Sequence, residues 1–358
     1  MRPLPKVISL FSGSGGLDWG FKEAGFRISI AFDISPAAIE THRRNFPDGQ
    51  AVVADLTQIK PSGVVGHVRS VISAGEEIGV IGGPPCQGFS RANTTSLAAD
   101  PRNRMPALYV RVVKALQAVY QVKFLVVENV LGIRDRKHQP TYKRMISGLK
   151  KLGFDVSEDE LCSADFGVAQ LRRRVMVIGL PKGCGPIASL ADSKTRKNSS
   201  TVRDAISGLA EPVYYQRSGL SPNSFPEHPN HWTMQPKSAR FALPGQARSD
   251  GRSFKQLRWD APSPTIAFGH REIHVHPEGH RRLSIYEALL LQGFPREFVL
   301  VGNLSEQVEQ VSNAVPPPMA ESVAKAVKTA ILNAPLERQR IISESTTGQN
   351  RNRRAPRD

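Results

Sequence analysis

Residues 6–33 read KVISLFSGSGGLDWGFKEAGFRISIAFD. The apolar run at Val7–Phe11 predicts a short strand, the glycines after it predict a tight turn, and a helix-like stretch continues to Ala24. A second apolar run at Ile28–Phe32 predicts the next strand. This order of strand, turn, helix and strand is typical of a parallel sheet that binds a ligand at the turn.

The same alternation continues outward from this unit. Ser35 and Pro36 predict the cap and the first residue of a helix. Apolar runs predict further strands at Ala51–Ala54, Val80–Gly82, Phe124–Val127 and Val175–Leu180. Apolar residues at helical spacing predict one more helix at Tyr109–Tyr120. We therefore predict an α/β fold, a Rossmann-like mixed or parallel sheet with helices on both faces.

The pattern changes after Pro181 and becomes irregular and rich in Ser, Pro, Gly and Arg. Helical periodicity returns at Leu283–Leu291 and at Met319–Leu332. We predict a large domain over 1–181, a small loop-rich domain inserted at 182–263, and a return to the large domain over 264–333. The basic, polar residues 334–358 predict a disordered tail.

The composition excludes several protein classes. Hydrophobic residues make up 40% and charged residues 22% of the 358 residues, as in ordinary globular proteins. No apolar run approaches the ~20 residues of a membrane helix, and three cysteines cannot build a disulfide framework. We therefore expect a cytoplasmic protein. The formal net charge of +16 favours a nucleic-acid partner, because basic groups bind phosphates and release counterions.

Two carboxylates accompany the glycine loop. Asp33 ends the second predicted strand and Asp55 follows the third. An acidic residue at the end of the second strand accepts hydrogen bonds from ribose hydroxyls, and the third-strand Asp can accept from an adenine amino group. Phe11 can pack against the adenine ring. This set predicts an adenosine cofactor and leaves NAD and S-adenosylmethionine as alternatives.

The segment 82–90, GGPPCQGFS, predicts a reactive cysteine. Two prolines fix the backbone at the end of a strand, and Cys86 then opens a polar loop rather than lying within an apolar face as Cys162 does. Ligand sites of α/β sheets form at such strand ends. Cys86 is therefore a candidate nucleophile.

An acid and two arginines complete the candidate site. Glu128 ends the apolar run at Phe124–Val127, and a buried carboxyl holds its proton more readily than an exposed one, so Glu128 is a candidate proton donor. Alternation along an extended segment places Arg172 and Arg174 on one face and Arg173 on the other. Such a pair suits recognition of an anion or a carbonyl group.

With these motifs the chain resembles the DNA (cytosine-5)-methyltransferases of restriction-modification type. These enzymes use S-adenosylmethionine and have the class I methyltransferase fold with a small target-recognition domain. The resemblance extends to about Leu332. Six motifs occur in the family's order: Phe-x-Gly-x-Gly-Gly at Phe11–Gly16, Pro-Cys-Gln at Pro85–Gln87, Glu-Asn-Val at Glu128–Val130, Gln-x-Arg-x-Arg at Gln170–Arg174, Arg-x-Leu…Glu…Leu-Gln-Gly-Phe-Pro across Arg281–Pro295, and Asn-Ala-Val-Pro-Pro at Asn313–Pro317.

The resemblance implies methyl transfer to carbon 5 of a cytosine that is flipped out of double-stranded DNA. It implies attack by Cys86 at carbon 6, with Glu128 at N3, Arg174 at O2 and Arg172 supporting the site. It implies cofactor contacts from Phe11, Gly13, Gly15, Gly16, Asp33, Asp55, Pro84 and Asn313, and base or DNA contacts from Gln87, Ser90, Arg91, Asn129 and Gln170. Asn129 could instead order its loop. No metal is implied.

Three positions depart from the family pattern: Ser312 replaces a glycine, Ala169 a proline and Tyr286 an arginine. None of them is a reacting group, so the changes bear on cofactor affinity and backbone geometry.

Other functions fit parts of the sequence. A transfer-RNA cytosine-5 methyltransferase shares the framework, but its members carry a different segment after Pro-Cys-Gln. A non-catalytic DNA-binding relative predicts the loss of Cys86 or Glu128, and both are present. A nicotinamide dehydrogenase explains only the glycine loop. We expect a monomer that associates with the nucleoid and has a cognate restriction endonuclease as a functional partner.

Overall fold

The structure is a computed structural model, and it describes residues 3–85, 104–184, 187, 190, 200–215, 227–235, 241, 255–265 and 274–334. The expectations for Cys86, Gln87, Ser90 and Arg91 and for the tail beyond residue 334 lie outside the described residues.

A mixed sheet forms the centre of the described chain. The strands that bear on the site are β1 (Lys6–Leu10), β2 (Ile28–Asp33), β3 (Gln50–Val53), β4 (Glu77–Gly82), β5 (Gln121–Asn129), β6 (Phe154–Cys162), β7 (Gln170–Leu171) and β8 (Arg173–Pro181). Seven of them form one sheet in the order β3-β2-β1-β4-β5-β8-β6. β1 to β5 run parallel, and β8 runs antiparallel to both β5 and β6. The predicted α/β fold is confirmed.

This topology gathers the ends of six strands at one edge of the sheet. The carboxyl ends of β1 to β5 meet there because these strands are parallel. β8 begins at the same edge because it is antiparallel to β5, where Asn129 pairs with Val175. Ligand sites of α/β sheets form at this edge.

Helices cover both faces of the sheet. They are α1 (Gly16–Glu23), α2 (Pro36–Asn45), α3 (Lys60–Arg69), α4 (Met105–Gln117), α5 (Gln139–Lys151), α6 (Val202–Ile206), α7 (Ile285–Leu291), α8 (Leu304–Asn313) and α9 (Pro317–Asn333). In β5, Phe124 and Val126 join a core with α1, α7 and α9, whereas Leu125 and Val127 join a core with α3, α4 and α5. Successive strand residues point to opposite faces, so both faces of β5 are buried.

The start of α2 follows the prediction. The Ser35 hydroxyl accepts a hydrogen bond from the Ala38 backbone N–H at 3.3 Å, and Pro36 is the first helical residue. The cap satisfies one of the N–H groups that a helix leaves unpaired at its N-terminus.

The C-terminal helix packs tightly on the first one. A Cβ atom on Gly20 of α1 would lie 2.4 Å from the Ala320–Glu321 amide nitrogen of α9 and 2.5 Å from the Ala320 Cβ. A glycine is therefore required for the two backbones to approach this closely. The last helix of the described chain, α9, therefore packs against α1, the helix that follows the glycine loop.

Regular structure is sparse in the described parts of 182–263. These residues contain α6 and strands of two residues each, and Ser263–Pro264 pairs in parallel with β7. Among the described residues, no helix is long and apolar enough to cross a membrane.

Candidate active site at the carboxyl edge of the sheet

The loop between β1 and α1 has a backbone that few residues adopt. Phe11, Gly13 and Gly15 have positive φ angles of 56°, 54° and 91°. A non-glycine residue in this region is uncommon and concentrates at functional sites. A Cβ on Gly16 would lie only 2.3 Å from the Val315 carbonyl oxygen. The loop is thus held against the Asn313–Pro317 motif by a contact that a side chain would block.

The Asp33 carboxylate holds this loop to the end of β2. Its Oδ2 accepts the Gly13 N–H at 2.8 Å, and its Oδ1 accepts the Ser35 N–H at 2.9 Å. Burial raises the pKa of the Asp33 carboxyl, and the hydrogen bonds from Ser35 and Gly13 oppose that rise. Asp33 therefore joins the β1–α1 loop to the start of α2 at this edge of the sheet.

Asp55 forms a turn of its own after β3. Its Oδ1 accepts both the Thr57 N–H at 2.8 Å and the Thr57 hydroxyl at 2.7 Å. Both bonds fall on one oxygen, so the turn fixes the carboxylate while its other oxygen makes neither bond.

A cavity of about 450 Å³ opens at this edge of the sheet. Seven of the eight predicted cofactor residues line it: Phe11, Gly13, Gly16, Asp33, Asp55, Pro84 and Asn313. Gly15 is the exception, because a Cβ on it would point at the Phe46 ring, 2.6 Å away. Pro85, the residue before Cys86, also lines the cavity.

The cavity has further walls that the motifs did not indicate. Ile34 lines it and is 65% exposed, which is unusual for a large apolar side chain. Its position directly after Asp33 was the available signal. Asp18 also lines the cavity, is fully buried, and lies 3.5 Å from Nε2 of the buried His42. The sequence gives no comparable signal for Asp18.

Glu128 and Arg174 form an ion pair on the cavity wall. Arg174 Nε lies 2.7 Å from Glu128 Oε1, and the two side chains are 12% and 11% exposed. The antiparallel pairing of β5 with β8 brings them together, since Glu128 faces Met176 in the register. A Cβ on Gly83 would lie 3.1 Å from Glu128 Oε2, so this glycine leaves room for the carboxylate.

The arginine segment shows the expected alternation. Arg172 is 1% exposed, whereas the Arg173 side chain is 63% exposed and pairs with Glu160 at 3.3 Å. Arg172 and Arg174 therefore face inward together. Arg174 lines the cavity, and the buried Arg172 does not reach it.

Asn129 and Gln170 are oriented toward protein rather than solvent. The Asn129 amide donates to the Pro84 carbonyl at 3.1 Å and its Oδ1 accepts the Val130 N–H at 2.9 Å. This arrangement favours the expectation that Asn129 orders the loop before Cys86. Gln170 is fully buried in the structure without DNA, and its expected DNA contact stays a prediction. The pairing of β7 with Ser263–Pro264 covers it.

A second buried ion pair lies in the Arg281–Pro295 motif. Arg281 donates to both carboxylate oxygens of Glu287 at 2.9 and 2.8 Å, and Nε donates to Glu211 at 3.1 Å. Tyr286, which replaces the family's arginine, stacks on His228 with ring centroids 4.1 Å apart. The motif thus joins α7 to the segments before it.

Comparisons with known proteins agree with this geometry. The family model for the C-5 cytosine-specific DNA methylase matches residues 5–329. The chain is 36% identical over 337 residues to the Type II methyltransferase M1.HphI of Haemophilus parahaemolyticus, covering 89% of this chain and 86% of that protein. It is 32% identical over 344 residues to the Type II methyltransferase M.MthTI of Methanothermobacter thermautotrophicus, covering 90% and 96%.

The fold is also similar to that of a solved structure. A protein encoded within an Escherichia coli prophage and described as a DNA modification methyltransferase superposes with a TM-score of 0.74. The identity is 24%, and the match covers 92% of this chain and 100% of that one. This likeness concerns the fold.

Proposed function

The chain belongs to the C-5 cytosine-specific DNA methylase family, and from this premise we propose that it uses S-adenosylmethionine to methylate one specific double-stranded DNA sequence through a covalent Cys86 adduct. Methylation of cytosine in DNA at carbon 5 is the activity of the family and of its Type II relatives. The observation that carries the finer proposal is the Glu128–Arg174 ion pair, which shares a cavity wall with the glycine loop and two carboxylates.

The chemistry of the cavity fits S-adenosylmethionine. Asp33 and Asp55 offer carboxylate oxygens to ribose hydroxyls and to the adenine amino group. Phe11 and Ile34 supply apolar surface for the adenine ring. The glycine loop and Asn313 enclose the methionine end. The cofactor has no phosphate, so these carboxylates meet no anionic group other than its single carboxylate. When bound, it supplies an electrophilic methyl group.

The protein groups would activate the cytosine ring. The Cys86 thiolate forms a bond to carbon 6, and the electron pair of the double bond moves toward carbon 5. Glu128 holds a proton at N3, and Arg174 donates to O2, where negative charge accumulates. Carbon 5 would then take the methyl group and leave the cofactor as its thioether, and a base such as water would accept the carbon-5 proton while the double bond reforms and Cys86 departs as a thiolate. Arg172 supports this arrangement from its buried position.

The ion pair matches the two ring atoms that it would contact. N3 and O2 are adjacent on cytosine, and Glu128 and Arg174 are adjacent on the cavity wall. A stacked base cannot reach this wall, so the target nucleotide must leave the duplex. When the base enters, the charged hydrogen bond between Arg174 and Glu128 is replaced by two hydrogen bonds, one from each side chain to the edge of the base.

The remaining parts of the proposal concern partners. The net charge of +16 suits binding to DNA phosphates. The glycine loop, both carboxylates and the ion pair come from one chain, which supports a monomer. The Type II relatives support a role beside a restriction endonuclease of the same specificity.

Bisulfite sequencing of DNA from cells that express the chain tests the proposal. We expect 5-methylcytosine at one recurring sequence with the wild type and with Cys184→Ser, a matched control in a half-buried cysteine away from the cavity. Cys86→Ser should give unmodified DNA. Methylation by Cys86→Ser would refute the covalent role, and methylation without a recurring sequence would refute the specificity.

A further inference from the structure

A turn between the predicted target-recognition region, residues 182–263 (the recognition region below), and α7 brings together three groups that can bind a metal ion. Residues 276–280 read HPEGH. Gly279, with φ 83°, donates its N–H to the His276 carbonyl at 2.8 Å and closes the turn. The potential ligand atoms of His276, Glu278 and His280 all lie within 4.8 Å of one another.

Both histidines turn the same ring nitrogen toward the carboxylate. His276 Nδ1 lies 4.0 Å and His280 Nδ1 lies 3.6 Å from the same Glu278 Oε2. His276 Nδ1 also accepts a long hydrogen bond of 3.4 Å from the Glu278 N–H, so this nitrogen carries the lone pair. A metal ion would replace that weak bond with a stronger one.

Each histidine has a second carboxylate behind it. His276 Nε2 lies 3.7 Å from Glu287 Oε1, and His280 Nε2 lies 3.1 Å from Glu211 Oε1. Metal-binding histidines usually donate their other nitrogen to such a carboxylate, which fixes the tautomer and the ring orientation. The turn shows this hydrogen bond at His280, and at His276 it shows a longer approach of 3.7 Å to the carboxylate. These carboxylates are an observation independent of the three ligands.

The charges around the turn also suit a divalent cation. Arg281 lies between two of the carboxylates, with Nε 3.0 Å from Glu211 and Nη2 2.8 Å from Glu287. Within these ion pairs of the described residues, Glu211, Glu278 and Glu287 carry three negative charges and Arg281 carries one positive charge. The excess of two negative charges would be balanced by one divalent ion.

We propose that His276, Glu278 and His280 bind Zn²⁺ and that the ion fixes the recognition region to α7. Two imidazoles and a carboxylate are a ligand set that Zn²⁺ accepts, with water as the fourth ligand. Zinc bonds of about 2.0–2.2 Å place neighbouring ligand atoms about 3.3–3.6 Å apart. The observed 3.6 and 4.0 Å therefore require a small contraction, which the partly exposed His280 and Glu278 side chains permit, being 31% and 57% exposed.

The role of the ion follows from what its supporting carboxylates belong to. Glu211 lies in the segment 200–215, and Glu287 belongs to α7. The ion would hold both through the two histidines. The sequence alone predicts no metal site, because two histidines and a glutamate in a five-residue turn do not show where the supporting carboxylates lie.

Zinc titration of the chelator-treated full chain tests the site. Isothermal titration calorimetry should give one Zn²⁺ per wild-type chain. Glu278→Gln and His280→Ala should each weaken zinc binding by at least about 100-fold, and Glu211→Gln by about 10–100-fold. His67→Ala changes an exposed histidine outside the turn and should bind zinc as the wild type does.

A second readout separates ligation from folding. Wild type with Co²⁺ should show the intense visible absorption of a four-coordinate site, and zinc should raise its thermal midpoint. Neither effect should occur in Glu278→Gln, whose exposed side chain is dispensable for folding. No zinc binding by the wild type, or equal binding by wild type and both ligand variants, would overturn the proposal.

Discussion

The Glu128–Arg174 ion pair gives a quantitative test of the proposed site. In Glu128→Gln and in Arg174→Met, one charge of the pair is lost and the other remains in a nearly buried position. Breaking a buried pair in this way costs roughly 3–5 kcal/mol of unfolding free energy. We expect about 3 kcal/mol for each variant, because both side chains retain some exposure and the cost therefore falls at the lower end.

The double variant should lose less stability than the sum of the two single variants. It contains no unpaired charge at this position, and a hydrogen bond between charged groups contributes roughly 1.5–3 kcal/mol. The coupling free energy should therefore be about 1.5–3 kcal/mol. Urea denaturation of the four proteins without cofactor or DNA measures it directly.

Methyl transfer should show the same lack of additivity. Removal of one donor that stabilises developing charge costs about 10²–10³ in rate, and both residues are proposed to contact one edge of one base. The double variant should therefore be about as slow as the slower single variant. The assay is single-turnover transfer of a labelled methyl group to unmodified genomic DNA, with every variant saturated with cofactor and DNA. Additive free energies within about 0.5 kcal/mol in both experiments would refute the shared role.

Three further variants test the cavity. Gly16→Ala places a Cβ 2.3 Å from the Val315 carbonyl, so the unfolding free energy should fall by roughly 1–3 kcal/mol in urea titrations, and an unchanged midpoint would contradict the contact. Ile34→Ala should weaken S-adenosylmethionine binding about 5–30-fold through lost apolar contact, measured by calorimetry, whereas Val53→Ala, an exposed residue outside the cavity lining, should not. The raised pKa of Asp33 means that the folded state binds this proton more tightly than the unfolded state does. Wild type should therefore lose stability relative to Asp33→Asn as the pH rises from about 4 through the folded-state pKa. A difference between the two urea midpoints that stays constant across pH 4–7 would contradict the burial effect.

The elements that the sequence predicted are those with strong apolar or capping signals. β1, β2 and α2 are predictable because apolar runs interrupted by only one serine each, and a Ser-Pro cap, have few alternative structures. β6 was missed because its residues FDVSEDELC are largely polar at the exposed edge of the sheet. α5 was missed because only four of its residues, Tyr142, Met145, Ile146 and Leu149, are buried. An apolar pattern is weak where only one side of an element packs.

Seven of the eight cofactor residues named from the sequence line the cavity, together with Glu128 and Arg174, but the contacts between them are not predictable from the sequence. Alternation along one extended segment is sufficient to separate the buried Arg172 from the exposed Arg173. The ion pair between Glu128 and Arg174 depends on β8 lying beside β5, and strand order is not a local property of the sequence. For the same reason, the sequence does not show that Gln170 pairs with Ser263 in a strand from the end of the recognition region.

That covering strand links the recognition region to the arginine segment. Ser263 donates its N–H to the Ala169 carbonyl at 2.9 Å, and the Thr265 hydroxyl donates to the Leu171 carbonyl at 2.8 Å. Arg172 follows Leu171 directly. A displacement of 263–265 must therefore break these bonds or move the backbone that carries Arg172 and leads into Arg174. Under the proposed function, DNA binding by the recognition region and the position of Arg174 at O2 are therefore mechanically connected through this short strand pair, in which each strand has the other as its one strand partner among the described residues.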